Sequence, residues 1–161
     1  VLRDTLADRG GILGLPLIRN SKTVDPADSS STPVIQLETA MGAAVEAFEG
    51  ATAIEVPRSR FLPVKTTNDL LLVRSDAYEV DDDGLLQMVP DQACTVSLDP
   101  RFYKKIQDFE ARFPNGVPSI KDAQSLTVEG DWTFGADVVA TGEAHVEAEG
   151  SPGRIADGTR I

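Results

Sequence analysis

The sequence predicts an α/β chain that ends in a β-helix. Two patterns carry this: a strand, loop, helix, strand succession over the first 60 or so residues, and a six-residue repeat from Leu126 onward. The opening "VLRDTLADRGG" reads as the tail of an amphipathic helix, with Leu2 and Leu6 on one face and Gly10 and Gly11 ending it. A start without Met, in mid-helix, suggests that the chain begins inside a larger domain. "ILGLPLI" is then a short apolar run bounded by glycine, predicted as a buried strand, and "RNSKTVDPADSSST" carries loop and turn chemistry. Thr32 and Pro33 look like an N-cap and first helical residue. Val34, Leu37, Met41, Val45 and Phe48 follow at helical spacing as far as Gly50.

"ATAIEV" predicts a second strand closed by Pro57, and "TNDLLLVRSDAY" a short helix capped by Thr66 or Thr67. Asp99 and Pro100 open a helix whose Phe102, Ile106, Phe109 and Phe113 share one face. "PNGVP" ends it, and Ser119 with Asp122 forms a candidate capping box for one more turn. The repeat reads LTVEGD, WTFGAD, VVATGE, AHVEAE. Its first column is Leu126, Trp132, Val138 and Ala144; its third is Val128, Phe134, Ala140 and Val146; its fifth is small and its sixth acidic. In a β-helix three such hexads make one triangular coil with the apolar columns inward. The competing reading is a meander of short antiparallel strands. Ile155 and Ile161 keep the spacing in a shifted column, so a register slip is predicted around "GSPG".

Charge and composition narrow the function. A formal net charge of -11 and a pI near 4.4 argue against bulk nucleic-acid or anionic-membrane binding. One cysteine, Cys94, and one histidine, His145, exclude an intrachain disulfide and a zinc site of the usual Cys/His kind; a reducing cytoplasm is the expected location. No apolar run reaches the length of a membrane span. Against this acidic background, "VPRSRFLPVKTTNDLLLVRS" holds Arg58, Arg60, Lys65 and Arg74 with a single acid. A local basic stretch of that kind calls for an anionic ligand.

"RNSKTVDP", "VIQLETAMGAAVEAFEG", "VPRSRFLPVKTTNDLLLVRSDAY" and "SLTVEGDWTFGADV" closely resemble blocks of the eukaryotic-type UDP-glucose pyrophosphorylases, and the resemblance covers essentially the whole chain. It implies the C-terminal portion of a Rossmann-like nucleotidyltransferase domain over 1–115, with a connecting helix, and a short left-handed β-helix over 116–161 that mediates homo-oligomer contacts. The family's glycine-rich nucleotide loop has no counterpart here, since "GGILG" has the wrong spacing. The implied reaction joins UTP and glucose 1-phosphate into UDP-glucose with release of pyrophosphate. Mg²⁺ would be bound mainly with the nucleotide phosphates, and the N-terminal part of the same enzyme would be a partner. The alternative is a catalytically inactive assembly or sugar-nucleotide-binding module.

Matching the family's Asn-x-Lys motif, Lys22 is the implied catalytic and phosphate-binding residue, expected in the loop after a strand, where open α/β sheets bind ligands. Lys65 in "FLPVKTT" matches a second phosphate-binding lysine. Arg58 and Arg60 alternate on an extended segment and so point to one face, either lining the phosphate site or pairing with acids. Arg74 is read as serving the C-terminal end of its helix. Lys104 and Lys105 also match family lysines but read as a solvated face. Glu38 and Thr39 are either a supporting pair near a helix start or surface. The run Asp81 to Asp83 before Gly84 reads as a turn, and His145 as structural or exposed. No direct metal ligand is assigned.

Overall fold

A computed structural model describes residues 1–57 and 60–161, which form two compact units, Val1–Phe61 and Leu62–Ile161. The first opens with helix α1 (Leu2–Asp8), ended where Gly10 and Gly11 take positive φ. Strand β1 (Leu17–Thr23) pairs antiparallel with β2 (Pro33–Thr39), and a 3-10 turn follows over Met41–Ala47. This corrects three expectations. The first strand lies five residues later than "ILGLPLI"; the long helix from Pro33 is a strand and a 3-10 turn; and 51–57 forms no strand.

The physical reason lies in a second period. Apolar and polar residues alternate with period two over Ile35, Gln36, Leu37 and Glu38, and the β-branched Val34, Ile35 and Thr39 favour the strand. The loop between the strands supplies the rest. Asp25 Oδ1 accepts from the Ala27 amide, Asp28 Oδ1 accepts from the Ser30 amide and hydroxyl, and Ser31 Oγ donates to the Asp28 carbonyl. These local turns fold the chain back on itself. Among the described residues of 1–61 none is buried, and Leu17, Ile35 and Leu37 remain more than half exposed.

The second unit holds the core. Helix α2 (Thr67–Arg74) begins on Thr66 as expected, with a Thr66–Asp69 capping box. A short hairpin, β3 (Tyr78–Val80) with β4 (Leu86–Met88), turns at Asp81–Gly84, where Asp81 Oδ1 accepts from the amides of Asp83 and Leu85. Strand β5 (Thr95–Leu98) leads into α3 (Pro100–Tyr103) and α4 (Ile106–Arg112). The single helix expected from Asp99 is thus broken, with Lys105 extended at the junction. The break turns Tyr103, Phe109 and Phe113 into the core and leaves Ile106 44% exposed. Ser119 caps no helix. It starts β6 (Ser119–Val128), and its hydroxyl donates to Asp76, which also accepts from the amides of Ile120 and Lys121.

The repeat folds as parallel strands. β5, β6 and β8 (Val139–Val146) form one sheet, and β7 (Trp132–Phe134) pairs with β9 (Gly153–Ile155) in another. The antiparallel meander is therefore excluded for these strands. Leu126 pairs with Ala144, 18 positions on, the length of three hexads, whereas Trp132 pairs with Gly153, 21 positions on. The three extra residues are the slip expected around "GSPG". Leu126, Val138 and Ala144 of the first column and Val128, Phe134 and Ala140 of the third are buried. Gly130 sits at a corner with φ +88°, where a Cβ would meet Ser151 Oγ at 2.6 Å, so any side chain is excluded on two counts.

Asp99 locks α3 to this stack. Its carboxylate, 8% exposed, accepts from Arg101 side chain and amide and from the Gly130 amide across the corner. The Arg101 hydrogen bond, chiefly, holds the Asp99 carboxyl well below the usual carboxylate range, with burial opposing and the Gly130 and Arg101 amides assisting. A depressed folded-state pKa gives stability that is present above the ordinary carboxylate range and is lost as pH falls toward the folded value. Urea unfolding from pH 7 down to pH 2.5 should therefore show Asp99→Asn less stable at pH 7 and less sensitive to acid below about pH 4. An identical acid limb in both proteins would remove Asp99 from the account. No helix among the described residues is long and apolar enough to cross a membrane.

Candidate phosphate-binding site

The β1–β2 hairpin sorts its side chains by alternation. Directly opposed residues of an antiparallel pair share a face, and every second residue along a strand returns to it. Lys22 opposes Val34, Asn20 opposes Gln36, and Ile18 opposes Glu38. One face thus carries Lys22, Asn20, Gln36 and Glu38 together with Ile18 and Val34, while Leu17, Ile35 and Leu37 lie on the other with Arg19, Ser21, Thr23 and Thr39. Lys22 is exposed and lies on the strand itself, one residue before its end, which corrects the expectation of a loop position. Glu38 and Thr39 lie at the end of β2 instead of a helix start. Asn20 and Gln36 were not singled out from sequence as a pair. Only the strand register places two amides, each able to donate and accept, in the rungs beside the lysine.

Lys65 belongs to the second unit and stands just before α2. Its amide donates to Asp69 Oδ2 at 3.0 Å, and the same oxygen accepts from the Thr66 amide and hydroxyl, each at 2.8 Å. Burial pushes the Asp69 carboxyl up, but the Thr66 hydroxyl, the two amides and the nearby Lys65 charge outweigh it and hold it below its ordinary value. The backbone at Lys65 is thereby fixed by the capping box, while its side chain is exposed. Among the described residues neither Lys22, Lys65 nor Arg60 forms an ion pair, although the Lys65 charge acts on the nearby Asp69 carboxylate.

The Arg60 amide donates to the Pro57 carbonyl at 3.0 Å. Arg58 lies outside the described residues, and so does the face it was expected to share with Arg60. Arg74 stands in the last turn of α2, yet it reaches α4: it pairs with Glu110 at 3.2 Å and lies over the Phe109 ring. Its task is helix-to-helix contact as well as the helix end. Lys104 and Lys105 are exposed at the junction of α3 and α4. His145 is exposed too, but Glu129 and Glu147 flank it, a grouping that follows from strand register and that spacing along the chain does not reveal.

Neither lysine lies in a donor set that fits a directly held Mg²⁺. That ion takes oxygen ligands in near-octahedral geometry. Beside Lys22 stand Val34 and the amides of Asn20 and Gln36, beside Lys65 the Asp69 Oδ2 atom already accepts from three donors, and among the described residues only Glu129, His145 and Glu147 group as three at metal-ligand spacing.

Residues 1–140 match the family model described as UTP–glucose-1-phosphate uridylyltransferase. Proteins of that name from Hordeum vulgare and Solanum tuberosum are 45% and 44% identical over 85% and 92% of this chain. The chain spans 28% and 31% of their lengths, respectively. A crystal structure of Trypanosoma brucei UDP-glucose phosphorylase superimposes on 99% of this chain and 35% of its own, with a TM-score of 0.86 and 43% identity. A Leishmania major UDP-glucose pyrophosphorylase variant in complex with UDP-glucose gives a TM-score of 0.82 at 46% identity, over 99% of this chain and 34% of that one. The mixed α/β fold, with its parallel and antiparallel sheets, is shared with these enzymes.

Proposed function

Because the chain belongs to the UTP–glucose-1-phosphate uridylyltransferase family, we propose that it supplies phosphate-binding lysines to an enzyme that makes UDP-glucose and pyrophosphate from UTP and glucose 1-phosphate. The observation that carries this reading is the position of Lys22 on one face of the hairpin, unpaired among the described residues and flanked by Asn20 and Gln36. A phosphate oxygen of glucose 1-phosphate attacks the α-phosphorus of UTP; the new P–O bond forms as the bond to the leaving pyrophosphate breaks. Two polyanions must approach each other, so cations are needed to offset their repulsion and to stabilise the charge that builds on the transferring and leaving groups.

Lys22 is the catalytic cation in this reading. Lys65, Arg60 and Arg58 bind substrate phosphates, and the amides of Asn20 and Gln36 orient the ligand. Mg²⁺ belongs with the nucleotide's own phosphates, and the chain's contribution is its fixed ammonium and guanidinium groups. Leu17, Ile35 and Leu37, each more than half exposed, support the same account, because exposed apolar side chains on a sheet call for a covering layer, here the part of the enzyme that carries the glycine-rich nucleotide loop. Residues 1–115 act in catalysis, although the core that Phe113 joins runs on into the repeat. Residues 116–161 form the short left-handed β-helix through which copies of the enzyme associate.

The second reading, an assembly module without ligand affinity, differs in one measurable respect. Ligand-observed NMR of millimolar UDP-glucose with the 161-residue chain should show saturation transfer that Lys22→Ala together with Lys65→Ala weakens several-fold. Equal signals with and without the two lysines would leave only the assembly role.

A further inference from the structure

The end of β6, strand β8 and the turn after it bring one imidazole and two carboxylates together. Glu129, His145 and Glu147 each offer a ligand atom within 4.8 Å of the other two. His145 Nδ1 lies 3.4 Å from Glu147 Oε1, and Nε2 lies 3.7 Å from Glu129 Oε1. Parallel register creates the grouping: Thr127 pairs with His145 and Val128 with Val146, and the Glu129 amide then donates to the Val146 carbonyl at 2.9 Å.

One further contact fixes the backbone beneath both acids. The Trp132 indole N–H donates to the Glu129 carbonyl at 3.0 Å and to the Glu147 carbonyl at 2.9 Å. A single donor thus pins the two carboxylate-bearing residues at a set separation. Among the described residues neither Glu129 nor Glu147 pairs with a lysine or arginine. Arg101 is near enough for its charge to feel Glu129, but its guanidinium is committed to Asp99. Two like charges held together in a protein of net charge -11, neither of them in an ion pair with a lysine or arginine among the described residues, make this a place of negative potential.

We propose that Glu129, His145 and Glu147 form a site for a divalent transition metal of the Zn²⁺ class, tying the end of β6 to the turn after β8. The imidazole decides the class, since nitrogen donors suit Zn²⁺ and its neighbours while Mg²⁺ and Ca²⁺ take oxygen. Bonds of about 2.1 Å place tetrahedral ligand atoms about 3.4 Å apart, so the donors must close by at most about 1.4 Å. Exposed glutamate side chains can make that movement by torsion alone. One ring nitrogen binds, and water completes the coordination at this exposed position.

His145 is the sole histidine, so its imidazole protons give one unambiguous pair of NMR signals. Titrating the 161-residue chain with ZnCl₂ in chelator-free buffer should shift that pair, saturating at one equivalent, and should raise the melting temperature. His145→Asn and, independently, Glu147→Gln should each weaken Zn²⁺ binding at least tenfold while leaving the circular dichroism spectrum unchanged. Imidazole signals that stay in place past several equivalents, undiminished binding in His145→Asn, or displacement of Zn²⁺ by equimolar Mg²⁺ would each overturn the site. A variant that fails to fold leaves the signal titration of the unaltered chain to decide.

Discussion

In the full-length enzyme, Lys22→Ala is expected to lower turnover by about 10² to 10³, the effect of removing one well-placed charged donor from a transition state that carries extra negative charge. The protein should remain folded, because Lys22 is exposed and makes no ion pair among the described residues. Lys22→Arg keeps the charge but changes its shape and reach, so it should recover only part of the loss. Steady-state kinetics with both substrates checks this. A fall in kcat and in kcat/KM together marks a contact made in the transition state, whereas a rise in KM alone would make Lys22 a ground-state binder. An unchanged rate would remove it from the mechanism.

Phe113→Ala should destabilise the second unit by about 3–5 kcal/mol. Its ring touches Phe109 at 4.8 Å, Tyr103 at 5.8 Å and Phe134 at 4.8 Å between centroids, so its removal opens a hole between α4 and the parallel strands. Folded domains retain only about 5–15 kcal/mol in total, so such a loss is a large share of the whole. Urea unfolding followed through Trp132, the sole tryptophan, measures it. Ile106→Ala, on a side chain 44% exposed, should cost less than about 0.5 kcal/mol. Equal losses at the two positions would mean that the helix breaks differently from the arrangement described.

The elements with strong local chemistry were legible in the sequence. Thr66 and Asp69 sit three apart at the start of α2, and Asp99 with Pro100 starts α3, because caps are decided within one turn of chain. The hexad columns predicted which side chains of the repeat are buried, since a period tied to inward-facing positions survives without knowledge of the partners. The first unit was misread where two periods overlapped: Val34, Leu37 and Met41 fit a helix, and Val34 to Thr39 fit a strand, and only the antiparallel partner at 17–23 decides between them.

The same limit applies to sites. Lys22 was found through its resemblance to a family motif, but its neighbours Asn20 and Gln36 depend on cross-strand register. Arg74 was assigned to its own helix end because Glu110, 36 residues away, is invisible to local reasoning. Glu129 and His145 come together across an 18-residue return of the chain, for which the repeat length was readable and the side-chain consequence was not.

The central proposal is that Lys22 and Lys65 each bind phosphates in uridylyl transfer. Pyrophosphate release from UTP, glucose 1-phosphate and Mg²⁺ tests it most directly, measured for the 161-residue chain and for the chain extended upstream through the glycine-rich nucleotide loop. The account predicts release only from the extended protein, abolished there by Lys22→Ala with Lys65→Ala. Release that persists at the full rate without the two lysines would contradict it.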